Sequence, residues 1–123
     1  MTNLIIDAAN DKIFFKIMAD KQSYTSEFSN NRENFDKLLI LLEKFLENHQ
    51  INFQNLKNIF INTGPGKFSG IRVSIAIAKA LSFTSKIDIY EFRSDQVIGQ
   101  NYDEIIDLFN KGLLNKNLIK PQY

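Results

Sequence analysis

The sequence predicts an α/β fold: one lobe on a mixed five-stranded sheet, three antiparallel strands followed by α/β units, with a further helix towards the C-terminal end. Three observations predict it. Short apolar or β-rich runs come first, at residues 3–9, 12–19 and 22–29, with connections too short to hold a helix. The hydrophobic period then switches to a helical one over 35–46 and again over 71–83, with strand-like runs at 56–62 and 86–92. Between a strand and a helix stands Asn62-Thr-Gly-Pro-Gly-Lys-Phe-Ser-Gly-Ile-Arg72, which holds three of the five glycines.

In chain order, Asn3–Ala9 reads as a buried strand, Leu-Ile-Ile followed by Asp7 and two alanines. Lys12–Ala19 and Gln22–Ser29 are separated only by Asp20 and Lys21, a hairpin-length connection. Asn30 and Glu33 then stand at capping-box spacing before a helix whose Phe35, Leu38, Leu39, Leu42, Phe45 and Leu46 form one apolar stripe. Asp36, Lys37, Glu43, Lys44 and Glu47 make the wet face. Ile40 lies within that face, a first hint of a second apolar contact.

After the strand Leu56–Asn62 and the glycine turn, the helix Ile71–Phe83 has an unusually wide apolar arc. At about 100° per residue, Arg72, Lys79, Ser82 and Lys86 gather within roughly a quarter of the circumference. Ile71, Val73, Ala76, Ile77, Ala78, Ala80 and Leu81 cover most of the rest. One sheet face cannot bury so much, so a second packing surface is expected, either the preceding helix or another chain. The small residues Ser74, Ala76, Ala78 and Ala80 would admit a helix at close range.

Lys86–Phe92 is a strand, with Ile87, Ile89 and Phe92 alternating with polar neighbours. Residues 93–101 read as a linker. Tyr102–Lys111 is a short amphipathic helix with Gly112 at its C-terminal cap, and Leu113–Tyr123 is an extended tail. Residues 102–123 are expected to pack on the lobe formed by 1–92.

Composition excludes several classes of function. With 44% apolar and 24% charged residues, the chain is an ordinary globular domain. A net charge of +1 gives no basic field, so direct nucleic-acid binding is not expected. There is no cysteine, and the single histidine, His49, leaves little for a metal site. His49 falls at a helix end, where its expected role is to cap carbonyls. The N-terminal run has neither a signal-peptide pattern nor a membrane span, so the expected location is the cytoplasm.

No catalytic set is visible. Counting from Gly64, a Walker loop would need glycine at position 69, where Ser69 stands, and the dinucleotide fingerprint would need its third glycine one residue earlier than Gly70. Ser69 has no base near it in sequence. Asp103, Glu104 and Asp107 fall in the first turns of a helix, where carboxylates are favoured and solvated. Asp7 alone stands suggestively, at the end of the first strand; it is read as structural, with a nucleotide-holding role as the alternative. No resident cofactor is expected, and ATP with magnesium only at an interface with a partner.

The element order resembles the ribonuclease H-like plan, the half-unit of actin-like ATPases and sugar kinases. Gly64-Pro65-Gly66-Lys67-Phe68-Ser69-Gly70-Ile71-Arg72 resembles the Gly-Pro-Gly-Ser-Phe-Thr-Gly-Val/Ile-Arg signature of the TsaB (YeaZ) family, agreeing at seven of nine positions. The start Leu-Ile-Ile-Asp-Ala-Ala is similar to that family's first strand, with Ala8 in place of threonine. Arg32-Glu33-Asn34 resembles the beginning of its first helix, with Asn34 in place of histidine. The resemblance covers about residues 3–92. Residues 102–112 and the Pro121-Gln122-Tyr123 ending resemble the family's C-terminal parts, which suggests a chain shortened internally by most of a second lobe.

The resemblance implies a non-catalytic role in the machinery that places threonylcarbamoyl on the adenosine beside the tRNA anticodon. The implied partners are the paralogous transferase TsaD and the ATPase TsaE, with TsaD held through the two helices of the lobe. Ile40, Phe68, Arg72, Val73, Ala76, Ile77 and Ala80 are the expected docking residues. Gly64 and Gly66 would adopt positive φ around Pro65, Gly70 would permit close packing, Phe68 would anchor the turn, and Ser69 and Arg72 complete the motif. The alternatives are a small phosphotransferase using Asp7 and the Gly64–Gly70 turn, and a homodimeric interaction module.

Overall fold

The structure is a computed structural model that describes residues 2–97, 99 and 101–116. Among these residues, six strands and four α-helices come in the order β1 (Thr2–Asp7), β2 (Lys12–Ala19), β3 (Gln22–Ser29), α1 (Arg32–Asp36), α2 (Leu38–Asn48), β4 (Leu56–Asn62), α3 (Phe68–Thr84), β5 (Asp88–Phe92), α4 (Asp103–Asn110) and β6 (Asn115–Lys116). They form a single mixed sheet of order β3-β2-β1-β4-β5-β6. β1 to β3 are antiparallel neighbours, β4 and β5 run parallel to β1, and β6 returns antiparallel to β5. The sheet thus has one strand more than expected. Two residues of the segment expected to be an extended tail make it; the rest of that tail, 117–123, lies outside the described residues.

Both faces of the central strands are covered. Leu4, Ile6, Phe15, Ile59, Ile61 and Ile89 pack towards α2 and α3, whereas Ile5, Phe14, Phe60 and Phe92 pack towards Tyr102 and Ile105 at α4. β1 and β4 therefore carry unbroken apolar runs, as strands buried on two sides must. α4 sits on the sheet through rings: Phe109 stands edge-on to Phe60 at 5.2 Å and to Tyr90 at 4.9 Å. Gly112 has φ +71°, a left-handed conformation next to the end of α4 that glycine adopts without strain.

The first expected helix is two. Lys37, at φ −110°, interrupts it, and the cap is the Asn31 side chain accepting the Asn34 N–H at 2.9 Å. Asn30, expected to be that cap, instead donates from Nδ2 to the carbonyls of Ala8 and Asn10, both at 2.7 Å. The break shifts the phase of α2. Leu38, Leu42, Phe45 and Leu46 are buried, while Leu39, expected on the apolar stripe, is 42% exposed beside Ile40 at 53%.

His49 stands at the C-terminal cap of α2 as expected, but caps it with its backbone alone. Its backbone N–H meets the last carbonyls of α2, whereas its ring stacks on Tyr24 at 3.9 Å and meets the edge of Phe45 at 5.3 Å. The imidazole is a packing surface between α2 and β3. Among the described residues, no helix is long and apolar enough to cross a membrane, and no group of three or more His, Cys, Asp or Glu could hold a metal ion.

Candidate docking site

The glycine turn is organised by one buried side chain, Asn62, at the end of β4. Its Oδ1 accepts the Gly64 N–H at 2.8 Å. Its Nδ2 donates to Asp7 Oδ1 at 3.0 Å and to Ser94 Oγ at 3.1 Å. Ser94 in turn donates from Oγ to the Pro65 carbonyl at 2.8 Å and from its backbone N–H to the Gly64 carbonyl at 2.9 Å. The segment expected to be a linker is thus tied to the turn at Ser94.

Each glycine has a separate reason. Gly64 adopts φ +107°, as expected, beside a cis peptide bond to Pro65. Gly66 is not at positive φ; a Cβ there would run into the Ala9 carbonyl oxygen and lie 2.8 Å from the Ala9 Cβ, so close approach is what demands glycine. At Gly70 a Cβ would run into the Ala8 carbonyl oxygen. Lys67 completes the seam by donating its N–H to the Ala9 carbonyl at 2.8 Å. The start of α3 therefore rests on the Ala8–Ala9 backbone, and small residues there let it do so.

α3 begins three residues earlier than its periodicity suggests, so Phe68, Ser69 and Gly70 form its first turn. Phe68 is not a buried anchor. It is 49% exposed, and the Arg72 guanidinium lies over its ring, 5.0 Å from the centroid. A groove of about 290 Å³ runs here, with Phe35 and Asp36 on one wall and Phe68, Ser69, Arg72, Val73 and Ala76 on the other. Ala76 and Ala80 are exposed, and Val73 is partly buried. Ile77, expected at the docking surface, is turned into the core with Ile71, Ile75, Ala78 and Leu81. The inner face of α3 is thus covered by the sheet and α2, and the outer face keeps only small, aromatic and charged residues.

Asp7 is buried on the opposite face of the sheet, and the chain itself uses both its oxygens. Oδ1 accepts from the Ala9 N–H at 3.2 Å as well as from Asn62, and Oδ2 accepts from the Tyr102 hydroxyl at 2.7 Å. The Tyr102 ring stacks on Phe14 at 4.5 Å with 8° between planes, closing the site. Burial pushes the Asp7 carboxyl above its ordinary value, opposed by the three hydrogen bonds. Burial, and then the Asp7 charge, push the Tyr102 phenol up as well. Asn62, Ser94 and Tyr102 were not legible as site residues. The one signal was Asn62 directly preceding the glycine turn, since Ser94 lies 29 residues from Pro65 along the chain and Tyr102 lies 95 from Asp7.

Residues 29–105 match the family model described as TsaD, tRNA N6-adenosine threonylcarbamoyltransferase. The tRNA threonylcarbamoyladenosine biosynthesis protein TsaB of Buchnera aphidicola subsp. Schizaphis graminum (strain Sg) is 33% identical over 97 residues, covering 79% of this chain and 46% of that protein. YeaZ from Pseudomonas aeruginosa superposes with a TM-score of 0.74 at 17% identity, over 90% of this chain and 50% of that one. The chain belongs to the TsaB/YeaZ family.

It spans about half the length of the TsaB and YeaZ relatives it matches, 46% and 50%. RuvC of T. thermophilus, solved in complex with Holliday junction substrate, aligns at a TM-score of 0.61 with 7% identity over 95% of this chain and 99% of that one. At that identity only the fold is shared, and the fold of this TsaB/YeaZ chain is ribonuclease H-like.

Proposed function

We propose that this chain is a non-catalytic scaffold subunit in tRNA threonylcarbamoyladenosine biosynthesis, and that it docks a TsaD-like threonylcarbamoyltransferase through the outer side of α2 and α3. The observation that carries the proposal is the exposed apolar and small-residue surface there: Ile40 at 53%, Phe68 at 49%, and the exposed Ala76 and Ala80. Large exposed apolar side chains beside alanines suit the approach of a second helix pair. The buried Asp7 supports a non-catalytic role, because the residue is only 2% exposed and already accepts three hydrogen bonds from the chain, two on Oδ1 and one on Oδ2.

In this reading a TsaE-like ATPase joins the same complex, and the protein works in the cytoplasm. The test is co-purification and calorimetric titration with the TsaD-like paralogue of the same source. Ala76→Glu and Ala80→Glu should each abolish binding while leaving the melting temperature within about 2 °C, as surface changes do. No complex with the wild-type chain, or undiminished binding by both variants, would sink the idea.

The name of the matched family model favours a second reading, in which the chain itself binds nucleotide for a transfer reaction. Magnesium-dependent ATP binding by the isolated chain, lost in Asp7→Ala, would establish it in place of the scaffold role. Light scattering with and without the paralogue separates both from a homodimer built through the same helices.

A further inference from the structure

The hydrogen bonds at the end of β1 link two opposite faces of the sheet. On one face stands Tyr102, at the start of α4, with its ring stacked on Phe14 and its hydroxyl on Asp7 Oδ2 at 2.7 Å. On the other lie the glycine turn and the N-terminal end of α3, which carries Phe68 and Arg72. Asp7 touches both sides of the seam at which α3 begins. Through Oδ1 it holds the Ala9 N–H, at 3.2 Å, and the Ala9 carbonyl accepts the Lys67 N–H at 2.8 Å. Through Asn62 it reaches the Gly64 N–H, and through Asn62 and Ser94 the Pro65 carbonyl.

The donors and acceptors of this relay fit together in one consistent sense. The Tyr102 hydroxyl and both Asn62 amide hydrogens donate, both Asp7 oxygens accept, and the Ser94 hydroxyl has two acceptors in reach, the Pro65 carbonyl at 2.8 Å and Asn62 Oδ1 at 3.2 Å. A network whose central members, Asp7 and Asn62, are buried and bonded at every polar atom has little freedom to shift one member without unsatisfying another. We infer that Tyr102 is a positioning residue for the docking face: acting through Asp7, Asn62 and Ser94, its hydroxyl sets the geometry of the glycine turn and of the Phe68–Arg72 groove from the far side of the sheet. The inference rests on the proposed docking role for its functional meaning, but its physical content is a coupling within this chain alone.

Three variants of the full chain test it. Tyr102→Phe removes only the hydroxyl and keeps the stack on Phe14. Ser94→Ala removes the bond to Pro65 and leaves Tyr102 in place. Phe109→Leu thins the packing of α4 on Phe60 and Tyr90 without touching the network, and so controls for general loosening. Amide hydrogen exchange is read at Gly64, Lys67, Ile71 and Ser94, whose N–H groups all bond within the seam.

Tyr102→Phe should raise exchange there by about tenfold relative to the β2–β3 hairpin, the loss expected when one buried, charge-linked bond is removed, and Ser94→Ala, which removes an exposed neutral bond, by about threefold. Phe109→Leu should lower the melting temperature without that selective change. Equal changes in all three variants, or no selective change in Tyr102→Phe, would overturn the relay. Titration of the same variants against the TsaD-like paralogue adds the functional arm, in which Tyr102→Phe should bind several-fold more weakly than Phe109→Leu. Selective exchange with no binding by the wild-type chain would refute the docking reading and leave the coupling standing; binding without selective exchange would do the reverse.

Discussion

Gly70→Ala adds a single methyl group at the tightest point of the molecule. The new Cβ would run into the Ala8 carbonyl oxygen and approach the Ala8 Cβ to 3.1 Å. That carbonyl cannot easily retreat, because the Asn30 side chain holds it at 2.7 Å. The first turn of α3 must therefore slide away from β1, and the Lys67–Ala9 bond across the seam must lengthen with it. Overpacking a rigid site costs about 1–3 kcal/mol, and a backbone obstacle puts this case near 3. Alanine in a helix recovers about 1 kcal/mol over glycine, leaving a net loss of about 2 kcal/mol. For a chain of 123 residues, that corresponds to a fall in melting temperature of about 8 °C.

Differential scanning calorimetry at neutral pH measures the fall. Gly112→Ala is the companion, because glycine there is needed for φ +71° and nothing lies within 4 Å of the added Cβ. Its cost is the left-handed conformation alone, about 1 kcal/mol or about 4 °C. A fall of less than about 2 °C for Gly70→Ala, or a fall no larger than that of Gly112→Ala, would refute the close-packing account of the seam.

Other consequences are as direct. Burial raises the folded-state pKa of Asp7, so its contribution to stability is fully present below the ordinary carboxylate value and is lost as pH rises through the raised one. Asp7→Asn should therefore show its largest deficit against wild type near pH 4 and a smaller one at pH 7, in paired thermal melts; a deficit that grows with pH would contradict this. His49→Asn, which could still cap a helix, should lose about 1 kcal/mol with the ring contacts to Tyr24 and Phe45, whereas His49→Phe should keep most of it in urea melts. Phe60→Ala, which empties the centre of the α4 face, should cost about 3–5 kcal/mol by the same assay. Phe83→Ser, at 88% exposure, should change stability by less than about 0.5 kcal/mol.

Short-range physics controls the features that were legible in the sequence. The hairpin at Asp20-Lys21, the buried runs of β1 and β4 and the helical period after Gly70 all come from spacing within a dozen residues. The signature around Gly64–Arg72 was legible by likeness, and the close packing of Gly70 by its lack of a side chain. Three things were hidden. The break at Lys37 leaves the apolar period intact in the sequence, so Leu39 was placed on the wrong side of it. Ile77 lies in the middle of the wide apolar arc of α3, nearly opposite its polar quarter, and periodicity could not divide that arc between the core and an outer surface; the position of the sheet turns Ile77 inwards. The Asp7–Tyr102 bond joins residues 95 apart in sequence, and no local pattern announces it.

The relation between the two faces explains how, among the described residues of a chain spanning about half of its TsaB and YeaZ relatives, the central strands β1, β4 and β5 are covered on their second face. A sheet with Ile5, Phe14, Phe60 and Phe92 on its second face needs a cover, since those side chains left in water would forfeit about 1.5–3 kcal/mol each. α4 supplies it with Tyr102 and Ile105, partly buried Ile106 and Phe109 packing alongside. The residue that begins this cover also donates to Asp7, and Asp7 sits where α3 begins. Covering the second face and shaping the first are therefore one structural act. A change that loosens α4 through its hydroxyl contact should be felt at Phe68 and Arg72, whereas one that only thins its apolar packing should not.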